Sequence, residues 1–204
     1  MTPYRIETER LVIRCYDPED APVLKDAVDR SLDHLRPWMP WTPDAPEALD
    51  VVYERLRDFR AQYDRDENWI MGAFSPDESR CLGGTGLHPR QGEGGLEIGY
   101  WVAADEVGQG YATEISAVLT RVGFDQFGVD RIEIRVDPAN EISERVPAKL
   151  GFTKEATLRR RLPSKSGSEL RDANVWTIFR SELARSPVER YAYAAYDALG
   201  RALP

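Results

Sequence analysis

The sequence predicts a mixed α/β fold in which the first half of the sheet is antiparallel. Three strand candidates follow one another with short connections rich in turn residues, which is typical of an antiparallel meander. A long amphipathic segment then separates the last of them from a further strand, so a helix crosses between two strands. The three strands are 68–74, 81–88 and 95–102, the helix lies within 105–128, and the strand after it is 131–137.

The chain before the meander predicts one strand and three helical segments. Residues 10–16 have the composition of a strand, and Asp17 follows as the N-cap of a helix with Pro18 in its first position and Asp20 completing a capping-box arrangement. Residues 31–46 contain four prolines and predict a short helix with an irregular loop. A long helix is predicted from 47 to 64, and its apolar side comprises Val51, Val52, Leu56, Phe59 and Tyr63.

The last third of the chain predicts a helix, a closing strand pair and a terminal helix. The helix covers 140–150, and the strands 152–162 and 169–179 flank a turn at 163–168. The terminal helix begins at Ser186 with Pro187 in its first position. One apolar face of this helix must cover its own domain or a second subunit, and we expect a homodimer. That face comprises Tyr191, Ala195, Ala198 and Leu199, widened by Tyr193 and Tyr196.

Composition narrows the class of protein. A chain of 204 residues fits one domain with a substantial core, or one domain plus an appendage. It has no apolar run long enough to cross a bilayer and no apolar signal segment at its start, so we expect a cytoplasmic protein without a membrane partner. Cys15 and Cys81 lack a second thiol at ligand spacing, so neither a disulfide nor a metal site is expected. The net charge of -8 argues against nucleic acid and favours cationic partners.

Two glycines precede the crossover helix. The turn at 108–112 leads into a helix whose buried side includes Ile115, Val118 and Leu119. The free N–H groups of such a turn, together with the helix dipole, form an anion site, and glycine lets a phosphate approach them. A tight turn without any ligand is the alternative.

Two segments in the middle of the chain are EIGYWVAADEVGQGYATEI and NEISERVPAKLGF, and around them lie ETERLVIR, HLRPWMPW and GFTKEATLR…RDANVWTI. In this order, the segments resemble the GNAT superfamily of acyl-CoA-dependent N-acyltransferases. The last three are similar to the RimJ/RimL-like branch, whose members acetylate N-terminal amines of ribosomal proteins. The resemblance spans 5–181 and implies a GNAT acyltransferase domain at 1–181, followed by an extension at 182–204. It also implies a mostly antiparallel, twisted sheet with a splayed parallel strand pair and flanking helices.

The resemblance implies where acetyl-CoA binds. The pyrophosphate loop of the superfamily, Q/R-x-x-G-x-G/A, falls on residues 107–112 of this chain, and Val107 departs from the usual Gln or Arg, so we expect weaker binding of coenzyme A. The pantetheine arm would enter between the strands at 95–102 and 131–137 like an added strand. The implied coenzyme A residues are Val107, Gly108, Gln109, Gly110, Tyr111, Ala112 and Thr113 in the loop, Tyr100, Trp101 and Val102 on the strand, and Asn140.

Glu97 is the candidate general base. Strand alternation puts Glu97, Gly99 and Trp101 on one face, near the expected thioester. An incoming amine is mostly protonated at neutral pH and must lose a proton before it attacks, and a carboxylate in a cleft can accept that proton. A solvent-facing strand residue is the alternative interpretation.

Ser143 is the candidate acid for the leaving thiolate. Many GNAT enzymes use a tyrosine four residues before the GF pair, and this chain has Pro147 there. In the RimL-like pattern N-x-x-S, which falls on Asn140 and Ser143, the serine takes that role; both residues could instead be ordinary residues at a helix start. Because Pro147 has no N–H for the carbonyl of Ser143, we expect a broken or distorted helix with Ser143 still facing the cleft.

Further side chains are assigned to the acceptor side. Trp38 and Trp41 lie on a proline-stiffened loop and suit an apolar wall for the acceptor, with core packing as the alternative. His88 is placed near them, more as a strand-end residue than as a catalyst. A basic cluster comprises Arg159, Arg160, Arg161 and Lys165, and we interpret it as a solvated strand end.

The predicted activity is transfer of an acetyl group from acetyl-CoA to a primary amine by direct attack. The acceptor is a protein N-terminus, a peptide or a small amine such as an amino acid, antibiotic or polyamine, and the sequence does not separate these. Neither cysteine has a recognisable catalytic partner, so no covalent enzyme intermediate is expected. A non-catalytic module that binds or senses acyl-CoA is the alternative.

Overall fold

The computed structural model describes residues 1–90, 92–164 and 169–204, which form one nine-stranded sheet and its helices. The strands are β1 (Arg5–Glu7), β2 (Val12–Cys15), β3 (Trp69–Phe74), β4 (Cys81–His88), β5 (Gly95–Val102), β6 (Arg131–Val136), β7 (Thr153–Pro163), β8 (Leu170–Phe179) and β9 (Ala194–Tyr196). The helices are α1 (Ala21–Asp29), α2 (Leu32–Leu35), α3 (Leu49–Asp64), α4 (Tyr111–Asp125) and α5 (Glu141–Lys149). Short 3-10 turns lie at Pro18–Asp20, Ala104–Glu106, Arg180–Arg185 and Pro187–Arg190.

The sheet has the strand order β7-β8-β6-β5-β4-β3-β2-β1-β9. The strand pair β5–β6 is parallel, and each of the other neighbouring pairs is antiparallel. This arrangement confirms the mixed α/β fold, the antiparallel meander and the parallel pair.

Two apolar cores lie on opposite faces of the sheet. Neighbouring residues of one strand enter different cores, as Ile13 and Val12 of β2 do, because successive strand side chains point to opposite faces. One core contains the apolar side of α4 and α5, and the other contains α1 and the first half of α3. The sheet therefore separates two apolar cores. The site described below lies where two strands of the sheet move apart.

The first helix begins as the sequence predicts. The Asp17 carboxylate accepts the backbone N–H of Glu19 at 3.0 Å, and the Asp20 carboxylate accepts the backbone N–H of Asp17 at 2.8 Å. These bonds cap the 3-10 turn that leads into α1. In α3, Val52, Leu56 and Tyr63 are buried as predicted. The prediction that Val51 belongs to the buried side is wrong, because this residue is 49% exposed.

The predicted terminal helix is also wrong. The Ser186 hydroxyl does cap a turn at Pro187, but that turn ends at Arg190, and β9 follows it. Tyr191, Tyr193 and Ala195 are covered while the residues between them are exposed, so the period is two and fits a strand. Strand β9 pairs antiparallel with β1, which otherwise would present unpaired backbone groups at the sheet edge.

The terminal segment packs on its own domain. Val188 is fully buried, and the hydroxyl of Tyr193 donates to the carboxylate of Asp125 in α4 at 2.8 Å. The guanidinium of Arg121 lies 5.2 Å from the centre of the Tyr193 ring. These contacts favour a segment that covers its own domain over one that covers a second subunit. The homodimer stays a prediction.

Truncation after Ser186 should therefore destabilise the single chain. Loss of the buried Val188 and of the β1–β9 pairing removes a few kcal/mol of packing, so we expect the Tm to fall by roughly 10 °C. Thermal unfolding and light scattering on the same samples check this. Leu199→Asp is the control, since Leu199 is 75% exposed and should tolerate the charge. A truncated chain with unchanged Tm would contradict the packing, and a dimer that becomes a monomer would show that this segment covers a second subunit.

The basic cluster lies on the edge strand β7. Arg159, Arg160 and Arg161 are exposed, and Arg160 has a φ of 54° at an irregularity where its N–H donates to the Asp172 carboxylate at 2.9 Å. Charged side chains and a bulge on an edge strand prevent pairing with other chains. This agrees with a solvated strand, and Lys165 lies outside the described residues.

Candidate active site

The parallel strands β5 and β6 separate at their C-terminal ends. Their pairing runs from Gly95 with Arg131 to Ile98 with Ile134, and both strands continue beyond it. The cleft at this opening has a volume of about 490 Å³. It passes through the sheet, because Tyr100 and Ser143 line it on the α5 side and Glu97 and His88 line it on the other. Backbone groups of separated strands can pair with an extended ligand.

The glycine turn lies beyond the end of β5. Gly108 and Gly110 have φ values of 85° and 84°, a left-handed conformation that favours glycine. Gly110 is the N-cap of α4 and provides no side chain, so the first N–H groups of a 15-residue helix lack a side-chain cap there. Within the described part of the chain, no atom lies within 4 Å of the position that a Cβ of Gly108 would take. The turn is therefore open to an anion. Val107 is 42% exposed beside it, and Thr113 lies in the first turn of the helix.

Arg10 supports this turn from the N-terminal segment. Its guanidinium donates to the carbonyl of Gln109 at 3.0 Å and to the buried carboxylate of Glu114, and it lies 5.0 Å from the centre of the Tyr111 ring. The pair neutralises an acidic group in the first turn of α4, which would otherwise disfavour an anion. The sequence did not indicate this residue, since the contact joins segments 99 positions apart.

Tyr100 and Ser143 form a hydroxyl pair on the α5 side. The hydroxyl oxygens are 2.9 Å apart, and the hydroxyl of Tyr100 also lies 3.3 Å from the carbonyl of Ser143. Burial raises the pKa of Tyr100 well above its usual value, so the phenol stays protonated at neutral pH. Asn140 caps α5, and its side-chain oxygen accepts the N–H of Ser143 at 3.1 Å. Asn140 is thus a helix cap, as the alternative interpretation of this residue predicts. It also lines the cleft.

A break of the helix at Pro147 is wrong, whereas a distortion of its first half stays a prediction. Helix α5 continues from Glu141 to Lys149 with Pro147 inside it. The carbonyl of Ser143, which would accept the N–H of a residue at 147 other than proline, accepts the hydroxyl of Tyr100 instead. The tyrosine therefore satisfies the carbonyl that proline leaves free. Ser143 lines the cleft, as expected.

Glu97 lies on the opposite face from Tyr100 and is mostly buried, with its side chain 13% exposed. Its carboxylate is 3.6 Å from a guanidinium nitrogen of Arg90 and 3.7 Å from one of Arg135. It lines the cleft and is not an open-surface residue. Two guanidinium groups therefore lie near the carboxylate on the acceptor side of the cleft.

His88 lies beside Glu97, since the two residues are paired across β4 and β5. The ring is buried, and its Nδ1 is 2.6 Å from the amide oxygen of Asn68. Burial lowers the pKa of His88 to about 4, and the positive charge of Arg90 adds to this. The imidazole is therefore neutral at neutral pH. The sequence placed this residue on the acceptor side but did not indicate Asn68.

Two tryptophans form an aromatic wall of the cleft. Trp41 is 46% exposed and packs edge-on against Trp101, with ring centres 5.9 Å apart. Trp38 also lines the cleft. Arg171 of β8 fixes this loop, since it donates to the carbonyl of Pro37 at 2.8 Å and pairs with Asp137 after β6 at 2.7 Å. The wall interpretation thus fits better than core packing, and Arg171 is a further residue that the sequence did not indicate.

Other chemistries find little support in the described residues. Burial raises the pKa of Cys15 and of Cys81 to about 12, so neither thiol is a ready nucleophile. Residues 1–90, 92–164 and 169–204 contain no group of three or more His, Cys, Asp or Glu side chains that could hold a metal ion. In the same ranges, no helix combines the length and the apolar character that a membrane crossing requires.

Comparisons with known proteins agree with this geometry. Residues 10–153 match the family model described as the Acetyltransferase (GNAT) domain. YdaF of Bacillus subtilis, which carries the name of a ribosomal N-acetyltransferase without established activity, is 31% identical over 74% of this chain and 82% of its own length. The [Ribosomal protein uS5]-alanine N-acetyltransferase of Escherichia coli is 26% identical over 74% of this chain and 79% of its own.

A solved structure extends the similarity to nearly the whole chain. RimJ of Mycobacterium smegmatis in complex with CoA-disulfide superposes with a TM-score of 0.82 at 25% identity, covering 93% of this chain and 95% of that one. The family resemblance of the sequence is thus confirmed by a family model, by curated relatives and by the fold. The chain belongs to the GNAT family of acetyltransferases and is an acyltransferase.

Proposed function

We propose that this protein transfers the acetyl group of acetyl-CoA to a primary amine by direct attack. The observation that carries the proposal is the cleft through the sheet at the β5–β6 opening, with hydroxyl groups on one side and a carboxylate on the other. A thioester in the opening could be approached by an amine from the Glu97 side while its sulfur faces Tyr100 and Ser143. Both reactants would then be bound at once, and no enzyme nucleophile is needed.

The coenzyme would bind on the α4 and α5 side. The N–H groups of residues 108–113 would hold the pyrophosphate, and the open space at Gly108 is the room such a group needs. The pantetheine arm would extend along Tyr100, Trp101 and Val102, with the side-chain N–H₂ of Asn140 free to donate, because the oxygen of that amide already caps α5.

On the acceptor side, Glu97 would accept the proton of the amine, directly or through a water molecule. The amine nitrogen forms a bond to the thioester carbon while its N–H bond breaks toward the carboxylate, and the C–S bond then breaks with its electron pair on sulfur. The thiolate takes a proton from the hydroxyl pair. Tyr100 has one hydroxyl proton. When the phenol donates it to the Ser143 hydroxyl, 2.9 Å away, instead of to the Ser143 carbonyl, the Ser143 proton is free to point at the sulfur.

Substitutions at the hydroxyl pair test this acid. Ser143→Ala should lower kcat by roughly a hundredfold with unchanged affinity for coenzyme A, since general acids contribute about a hundred- to ten-thousandfold. Tyr100→Phe should lower kcat to a similar extent. Pro147→Leu restores an N–H that competes with Tyr100 for the carbonyl of Ser143, so it should change kcat more than it changes Tm. Stopped-assay kcat values and calorimetric Kd values check this, and an unchanged kcat in Ser143→Ala would contradict the role.

The acceptor we propose is a protein N-terminus or a peptide. The name of the Escherichia coli relative supports it, because it describes acetylation of an alanine of a ribosomal protein. The open aromatic wall at Trp38 and Trp41 would suit a peptide chain as well as the apolar stem of a small amine. Location in the cytoplasm, where such acceptors and acetyl-CoA occur together, is part of this proposal.

Thiol release from acetyl-CoA is the direct test. A panel should contain peptides with N-terminal alanine or serine, free amino acids, and a polyamine such as spermidine. Turnover with the peptides above all others would support the proposal. Turnover with small amines alone would show that the acceptor is a small amine and not a peptide. Coenzyme A binding without turnover of any amine would fit the acyl-CoA-sensing alternative and contradict the proposal.

A further inference from the structure

A chain of four polar side chains runs from the outside of α3 to the cleft. The Asp58 carboxylate accepts from the side-chain nitrogen of Gln62 at 2.6 Å, and the Gln62 side-chain oxygen accepts from the nitrogen of Asn68 at 3.1 Å. The oxygen of Asn68 then lies 2.6 Å from Nδ1 of His88. Asp58 and Gln62 are one turn apart on α3, Asn68 directly precedes β3, and His88 ends β4.

The chemistry of this chain fixes the direction of every hydrogen bond. An ionised carboxylate can only accept, so the nitrogen of Gln62 must face Asp58 and its oxygen must face Asn68. The nitrogen of Asn68 is used in that bond, so its oxygen faces the imidazole. Nδ1 of His88 must then carry the proton, and Nε2 of the neutral ring carries a free lone pair.

Two glycines leave the space in which this ring packs against the sheet. A methyl group at Gly86 of β4 would lie 2.9 Å from Nε2, and one at Gly99 of β5 would lie 3.2 Å from it. Both contacts are closer than side chains normally allow, so larger residues at these positions would displace the ring. Gly99 directly follows Ile98, the last residue of β5 that is paired with β6. The lone pair of Nε2 therefore lies at the start of the opening.

Burial and the positive charge of Arg90 favour the neutral form of the ring. Glu97 is its partner on β5, Arg90 follows it in the chain, and Asn68 is the neighbour on the β3 side. Burial and the charge of Arg90 lower the pKa of His88 to about 4, so the ring does not compete with a cationic substrate for the space beside Glu97.

We propose that Nε2 of His88 accepts a hydrogen bond from the acceptor amine, and that Asp58, Gln62 and Asn68 are positioning residues that hold it in the tautomer this requires. This inference rests on the proposed amine acetylation. A neutral imidazole with a lone pair can bind the N–H of an ammonium group, whereas an imidazolium would repel it. The ring would hold the amine beside Glu97, which then takes the proton.

Histidine-selective ¹⁵N NMR tests the tautomer without any substrate. The chain has two histidines, and the exposed His34 can be replaced by asparagine to leave one signal pair. We expect Nδ1 to be protonated and Nε2 unprotonated from pH 8 to pH 5, with protonation near pH 4. Asn68→Leu removes the acceptor for the Nδ1 proton, so both tautomers of the ring should be populated. Asn68→Asp keeps an accepting oxygen and should keep the proton on Nδ1. A ring protonated at Nε2 at neutral pH, or titrating near its ordinary pKa, would overturn the inference.

Kinetics with two probes, an alanine-initiated tetrapeptide amide and tyramine, test the contact itself. His88→Leu and Asn68→Leu should each raise the KM for the probe that is turned over by roughly tenfold or more, with the KM for acetyl-CoA unchanged. His34→Asn should match the wild type. An active wild type with unchanged amine KM in His88→Leu would overturn this inference alone. A wild type that acetylates neither probe nor any amine of the panel would instead contradict the proposed function.

Discussion

Gly110→Glu should weaken the binding of coenzyme A by at least roughly a hundredfold and leave the protein folded. A carboxylate at this position would place negative charge at the N-terminal end of α4, where the pyrophosphate is expected, and the side chain would cover the N–H groups that hold it. Isothermal titration with coenzyme A measures the loss. The Cβ position has room, since its nearest described neighbour is a nitrogen of Arg10 at 3.8 Å.

Gly128→Glu is the matched control for this substitution. Gly128 also has a left-handed φ, of 70°, and in the described part of the chain nothing lies within 4 Å of its Cβ position. The two variants therefore share the backbone strain and the added charge, and they differ in their distance from the turn. Equal losses of affinity in both would assign the effect to strain, and full affinity in Gly110→Glu would contradict the binding role of the turn.

Glu97→Gln should lower kcat by roughly a hundredfold, with little change in the binding of acetyl-CoA. The amide keeps the size of the side chain but cannot accept the amine proton, and loss of a general base costs about this much. Initial rates across pH 6 to 10 check it. Recovery of the rate at high pH, where more of the amine is already deprotonated, should accompany the loss.

The neighbouring Glu133 provides a control for Glu97. It is the partner of Glu97 in the parallel pair, its side chain is 10% exposed, and it also contacts Arg135, at 3.4 Å. It does not line the cleft. Glu133→Gln thus disturbs the same arginine without removing the proposed base, and we expect a rate near that of the wild type. A full rate in Glu97→Gln would assign proton removal to water or to another group.

The long periodic elements of this fold could be predicted from the sequence because their signal is local. Strands β4 and β5 begin and end at the predicted residues, and β3 begins one residue later than expected. The short strands β1 and β9 could not be predicted, since each has only three residues, and β9 forms against a partner from the far end of the chain. Alanine and tyrosine in the terminal segment fit a helix or a strand, and the free edge of β1 decides between them.

The candidate site divides in the same way. The residue types at Glu97, His88, Ser143 and the glycine turn carry a chemical meaning in the sequence, and the cleft does bring the first three together. The contacts that orient them join distant segments, as Tyr100 and Ser143 do across 43 positions. Proline at 147 indicated a disturbed helix, and the sequence could not show that a tyrosine from β5 would replace the missing donor.

The alternation of side chains along β5 has a consequence for how this enzyme could diversify. Tyr100 faces the helix that carries Ser143, whereas Glu97 and Trp101 face the aromatic loop. Under the proposed function, the acyl donor and the acceptor would therefore contact alternate positions of one strand, and a substitution on one face would leave the other face in place. An engineer who wants a new acceptor should therefore vary Trp101 and the aromatic loop at Trp38 and Trp41, and keep Glu97 and Gly99.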